Sequence, residues 1–166
     1  MIKEFVLKET RAYNIQETIS FVEEMFNKYI LNSISKDIII LLDGELGAGK
    51  TFIASNLIKV IAKDLDINVT SPTFNIISNY HSVFFNIDIN HYDLYRINKP
   101  NELENISFYE NLFNCFTIIE WYKNGFDYIK KFLEINSNAL VFIVEINYNQ
   151  NLQSRFLSIK QLIFQK

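Results

Sequence analysis

Residues Gly44 to Thr51 read Gly-Glu-Leu-Gly-Ala-Gly-Lys-Thr, the spacing G-x-x-x-x-G-K-[ST], and they directly follow the apolar run Ile38 to Leu42. An apolar run of that kind is the pattern of a strand covered on both faces. Ile53, Leu57, Ile58 and Ile61 recur at helical spacing and predict a helix from about Lys50 to Leu65. Three of the chain's four glycines fall inside this loop. Glycine lets the backbone take positive φ and curl, so that successive N–H groups point inward, and the helix starting at Gly49-Lys50 adds the positive end of its dipole. Such a concavity suits phosphate. Lys50 is placed to reach the β and γ phosphates of a nucleoside triphosphate, and the Thr51 hydroxyl to ligate magnesium. A plain glycine turn between strand and helix would not require Lys-Thr at the helix start. Glu45, Leu46, Gly47, Ala48, Gly49, Lys50, Thr51 and Phe52 therefore form the candidate nucleotide-binding segment.

The rest of the chain fits an α/β domain around that unit. Lys3 to Leu7 alternates polar and apolar residues and reads as a short strand. Asn14 with Glu17 makes a capping box, followed by Ile19, Val22, Met25, Phe26, Tyr29 and Ile30 at helical spacing. Phe74 to Ile97 predicts two or three strands with a turn near His81-Ser82. Glu102 to Asn114 reads as short helical pieces, Phe116 to Trp121 as a buried strand, and Asp127 to Leu133 as a helix. Ala139 to Tyr148 and Phe156 to Phe164 predict a closing antiparallel hairpin. The expected architecture is one three-layer P-loop NTPase domain over residues 1–166, with a mixed, largely parallel sheet.

Composition bounds the partners. At 166 residues the chain can bury a real core, and its net charge is −3 with no Lys/Arg cluster. Tight, direct nucleic-acid binding needs a basic stripe and is disfavoured. No apolar run approaches the ~20 residues of a membrane helix, and the N-terminus from Met1 lacks the apolar core of a secretory signal. Cys115 is the sole cysteine, so no intrachain disulfide forms and a reduced, cytoplasmic setting is expected.

A phosphate loop needs carboxylates for magnesium and for the attacking water. Asp93, in Asn90-His91-Tyr92-Asp93-Leu94-Tyr95-Arg96, and Glu120, which ends Phe116-Thr117-Ile118-Ile119-Glu120, both follow strand-like runs. The residues alone leave each open between a metal-side carboxylate and a solvated strand end. Asp43 and Asp88 read as structural. In Thr70-Ser71-Pro72-Thr73-Phe74, Pro72 forces Ser71 extended. Ser71 and Thr73 could serve a switch loop, while a plain proline turn explains the segment as well. His81 and His91 have no partners at metal spacing and are expected in turns or against aromatics. The aromatics Phe84, Phe85, Tyr92 and Tyr95 are expected in the core, and Trp121 either there or beside the site.

In this order these pieces resemble the bacterial TsaE (YjeE) family, small ATPases required for threonylcarbamoyladenosine modification of tRNA. The matches are Glu17-Thr18, Gly44 to Thr51, Ser71-Pro72-Thr73-Phe74, His91 to Arg96, Glu102-Leu103 and Glu120-Trp121, with a looser match through the last strands and Arg155. The resemblance implies ATP and Mg2+ as ligands. Lys50 and Thr51 would serve the phosphates and magnesium, Asp93 would support the metal and Glu120 would act at the catalytic end. Ser71 to Thr73 would form a switch-like loop, and Glu17-Thr18 would lie near the base. It also implies TsaB-like and TsaD-like partners, with tRNA met only indirectly. The chain departs from the family pattern at Phe52, Asn56, Tyr122 and Phe21-Val22, which bears on helix packing and the base site rather than on catalytic positions.

Two other classes stay open on the sequence. A small-molecule kinase on the same fold would need an arginine-rich lid, and the arginines at 11, 96 and 155 are too scattered to supply one. A nucleotide-sensing module without turnover is the other. A GTPase would have to read its base with Asn98-Lys99-Pro100-Asn101, which lacks the required Asp.

Overall fold

The apolar run that precedes the glycine loop forms the centre of a sheet. The computed structural model describes residues 2–34, 37–99, 101–151 and 153–164. Among them, β1 (Ile2–Ala12), β2 (Ile38–Asp43), β3 (Ile77–Ser82), β4 (Ile87–Asp93), β5 (Cys115–Glu120), β6 (Leu140–Asn149) and β7 (Ser154–Phe164) form one sheet in the order β1-β7-β6-β2-β5-β4-β3. The four inner strands β6, β2, β5 and β4 run parallel. The hairpins β6–β7 and β3–β4 and the edge pair β1–β7 are antiparallel. Parallel pairing is thus confined to the strands that carry crossover connections. The mixed sheet and closing hairpin match the expectation from sequence, and a second hairpin flanks the other edge.

Side chains of a strand alternate between faces, and here that period sorts the core into two. Ile38, Ile40 and Leu42 pack on one face, together with Phe116 and Ile118 of β5 and Phe142 and Val144 of β6. Ile39 and Leu41 pack on the other, with Ile119, Val141 and Ile143. Helices α1 (Ile15–Met25) and α2 (Lys50–Ala62) cover the first face. The short helix α3 (Asn101–Glu104) and helix α4 (Phe126–Ile135) cover the second. These are the three layers. In α2, Ile53, Ala54, Leu57, Ile58 and Ile61 are all fully buried, and each large apolar side chain so buried contributes about 1.5–3 kcal/mol. The anchor of the glycine loop is therefore a rigid one.

Boundaries moved where tertiary pairing extends or cuts a local pattern. The first strand runs through Ala12 rather than stopping at Leu7, because β7 supplies a partner along its length. Helix α2 ends at Ala62, where Lys63 takes φ +55°. The hairpin turn falls after Ser82, so His81 lies on β3, where it contacts Asp88 across the pair at 2.7 Å. Asn14 caps α1 as expected, accepting from the Glu17 N–H at 2.8 Å; the Glu17 carboxylate reaches back to the Tyr13 N–H, also at 2.8 Å. The departures from the family pattern are absorbed without exposing core. Phe21, Val22 and Tyr122 are buried, and the Asn56 amide donates to the Phe52 carbonyl at 2.8 Å. Phe84 and Tyr95, expected in the core, are 70% and 48% exposed. Met1 and the Pro100 of the Asn98-to-Asn101 segment lie outside the described residues.

Candidate functional site

The glycine loop joins β2 to α2 at the carboxyl ends of the parallel strands, where open α/β sheets bind ligands. Two of its glycines are required by geometry. A Cβ on Gly44 would come within 2.6 Å of the Ile146 carbonyl oxygen, and Gly49, at the N-cap of α2, has φ +110°. Lys50 is 5% exposed, and its ammonium donates to the loop's own Gly44 and Glu45 carbonyls at 2.7 and 2.9 Å. Burial pushes its pKa down, opposed by the carboxylates of Glu120, Asp93 and Asp43. The ammonium also stands 3.9 Å from the centroid of the Trp121 ring, which in turn lies 4.9 Å from the ring of Tyr95. Trp121 thus stands at the site. A cleft of about 600 Å³ runs past the loop's rim, lined by Asp43, Gly44, Glu45, Trp121, Lys123 and Glu145 among others.

Both candidate carboxylates are buried, which removes the solvated strand-end reading. Strand register brings them together: Asp93 on β4 is the direct partner of Glu120 on β5. The alternation that sends Phe116 and Ile118 toward α2 sends Glu120 there too, and Ile89, His91 and Asp93 follow the same period on β4. At the start of α2 the Thr51 hydroxyl donates to Glu120 Oε2 at 3.0 Å. Glu120 Oε1 meets His91 Nε2 at 2.9 Å. Asp93 takes a different set. Its Oδ2 accepts from Ser71 Oγ at 2.7 Å and Thr73 Oγ1 at 2.6 Å, and its Oδ1 accepts the Tyr95 N–H at 3.0 Å. The Ser-Pro-Thr segment is therefore docked on Asp93 and is more than a proline turn. It ends at Ile76, whose φ of +67° is a strained conformation for a β-branched residue. Two hydrogen bonds hold it there, from its N–H to the Pro72 carbonyl and from the Asp93 N–H to its own carbonyl.

A family model described as threonylcarbamoyl adenosine biosynthesis protein TsaE matches residues 13–155. The chain belongs to the TsaE family. Its relatives include proteins named tRNA threonylcarbamoyladenosine biosynthesis protein TsaE from Rickettsia felis (40% identical over 57% of this chain and 53% of the relative) and Rickettsia prowazekii (41% over 58% and 65%). One from Haemophilus influenzae is 37% identical over 54% of this chain and 55% of its own. The matches thus span about half to two thirds of the relatives' length. The crystal structure of Bacillus subtilis YdiB superposes with a TM-score of 0.58 at 19% identity, covering 97% of this chain and 87% of that one, a likeness of fold.

In this TsaE family member, Lys50, Thr51, Asp93, Glu120, Trp121, Ser71 and Thr73 all converge at one end of the sheet. Glu45, Leu46, Gly47 and Ala48 form the loop rim, and Phe52 points outward on the first turn of α2, 36% exposed. Glu17 and Thr18 are not drawn in directly. Among the described residues Glu17 is engaged in capping α1, and the Thr18 hydroxyl donates to the Asn14 carbonyl at 3.2 Å. Their turn approaches the loop through Arg155, which pairs with Ala12 in the sheet and donates from Nε to the Ala48 carbonyl at 3.0 Å. The hydroxyl of Thr51 and the two carboxylates offer hard oxygen donors, the chemistry magnesium selects. For two residues that the sequence reading named only within the family match, the structure supplies the placement. His91 lies fully buried on β4 against Glu120, not in a turn, and Arg155 packs on the loop. The signal for His91 was its place two residues before Asp93 on a strand, which puts both on one face.

Proposed function

We propose that this protein is a magnesium-dependent ATPase that serves threonylcarbamoyladenosine modification of tRNA together with TsaB-like and TsaD-like proteins. The observation that carries the reading is the Thr51–Glu120 hydrogen bond, which couples the end of the phosphate loop to a buried carboxylate on the neighbouring strand. Its family membership supplies the pathway.

In this reading the loop N–H groups and the start of α2 hold the phosphates, and Lys50 leaves its carbonyl partners to contact the β and γ oxygens. Magnesium, when bound, draws charge off the phosphate oxygens. Thr51 and the acidic pair would hold it. Glu120 Oε2, on the loop side, orients water and accepts its proton; Asp93 ties the Ser71–Thr73 segment to the metal side. That segment can order with the γ-phosphate and release after hydrolysis, the behaviour of a nucleotide switch that docks on partners. The expected activity of the protein alone is weak. A kinase reading would need an arginine lid, whereas among the described residues Arg155 lies on the loop and Arg96 stacks on Phe74 at 4.3 Å.

Depletion in cells followed by mass spectrometry of tRNA nucleosides tests the pathway. Loss of threonylcarbamoyladenosine is the expected result, and normal levels would refute the role while leaving the ATP site standing. Nucleotide-dependent association with a purified TsaB–TsaD pair tests the partners in the same way.

A further inference from the structure

Among the described residues, Glu120, unlike Asp93, has each oxygen bound by a side chain from a different secondary-structure element. Thr51 on α2 donates to Oε2, and His91 on β4 faces Oε1 at 2.9 Å, with His91 fully buried and the Glu120 side chain 3% exposed. The two donors are not equivalent. The Thr51 hydroxyl is the group the proposed ATPase turns toward magnesium, so its bond to Oε2 is one the reaction gives up. The imidazole has no competing ligand of that kind. Its Nδ1 is buried and meets no hydrogen-bond partner among the described residues. A carboxylate can only accept, so Nε2 is the ring atom that donates to Oε1. Strand pairing also restrains the ring. His91 sits opposite Ile118 on β5 and opposite Ser78 on β3, one pleat from the Asp93–Glu120 pair.

We propose that His91 is the positioning residue of this site, locking Glu120 Oε1 so that Oε2 alone faces the loop and the water it activates. The proposal rests on the ATPase reading above. It assigns the His91–Glu120 contact a role in turnover and none in holding nucleotide. Freed from the imidazole, the carboxylate would turn about its own side-chain bonds, and the productive orientation would become one of several. Partners that orient a ligating or catalytic side chain in this way are commonly worth about 10–100-fold in activity when removed.

Two measurements on the full chain test it. The first is a long-range proton–nitrogen NMR spectrum of protein labelled at histidine nitrogens. The chain has two histidines, and His81→Ala on the exposed hairpin identifies which signals belong to His91. The expected result is a proton on Nε2 and signals that move when Glu120→Gln is introduced. A bare Nε2, or signals indifferent to Glu120→Gln, would overturn the proposal. The second is ATP turnover and ATP affinity for His91→Phe, which keeps the ring volume, and His91→Gln, which places an N–H donor at similar reach. The proposal expects kcat to fall about 10–100-fold in His91→Phe with ATP affinity unchanged, and to recover in His91→Gln. Parental turnover in His91→Phe, a glutamine variant no better than phenylalanine, or equal losses in affinity and turnover would reject it. Parental turnover in Glu120→Gln would instead bring down the catalytic reading of Glu120, and the positioning role with it, while the NMR contact stood.

Discussion

Glu120 and Asp93 are neighbours in register, yet different kinds of structure hold them. Glu120 is bound by a helix residue and a strand residue, both embedded in packed elements. Asp93 is bound by Ser71 and Thr73, which belong to a connection between α2 and β3 that ends in a strained residue, Ile76. One carboxylate is preorganised; the other is conditional on a loop. Preorganised groups act best where charge develops in the transition state, whereas a loop whose strain is offset by a few hydrogen bonds can take two arrangements. In the proposed ATPase, the site would therefore pair a fixed catalytic side with a movable sensing side across a single strand boundary.

The contrast is most exposed to test at Glu120. Glu120→Gln should bind ATP but turn it over ~100-fold or more slowly, the usual scale for a lost acid–base group, whereas Asp93→Asn should chiefly raise the magnesium required. Equal and small effects on turnover, measured with partners present, would make the two sides equivalent. Lys50→Ala comes next. It removes a charge-assisted phosphate contact of about 1.5–3 kcal/mol, so calorimetric titration with Mg-ATP should show affinity down roughly tenfold or more. The double variant Ser71→Ala/Thr73→Ala probes the loop side alone. It leaves buried Asp93 short of two donors, at a cost of about 1–3 kcal/mol in unfolding free energy. Amide exchange should then quicken across residues 71–76 and stay as in the parent in β5. Quickening in β5 as well would show the two sides to be one rigid unit. The smallest effect is expected from Asn14→Ala. It removes the α1 cap for about 1 kcal/mol in chemical denaturation, without changing ATP turnover, because the cap serves the helix and not the loop.

Much of this contrast was legible in particular residues. The glycine spacing announced the loop, and the apolar run before it announced the buried strand. Glu120 could be picked out because a hydrophobic strand ends on it. Its environment could not, since His91 and Thr51 lie 29 and 69 residues away in the chain, and nothing in local spacing says which strands are neighbours. The aromatics misled for a related reason: Phe84 and Phe85 are adjacent in sequence, yet Phe85 packs against the core while Phe84 stays exposed at the hairpin tip.

What the amino-acid order specified unaided are the parts whose signals are local. These are the loop and its helix, whose backbone needs glycine and whose charge comes from Lys50, the capped first helix, and the two-faced central strands. Only the folded chain set β4 beside β5, and with that pairing came much that is distinctive about the site. It placed Asp93 against Glu120 and turned His91 from a turn candidate into a buried partner, while the pairing of β7 with β1 and β6 carried Arg155 onto the loop. Strand order is set by how whole apolar faces are covered, a sum over the entire core. Local periodicity reports which face a residue is on but not which strand stands next to it.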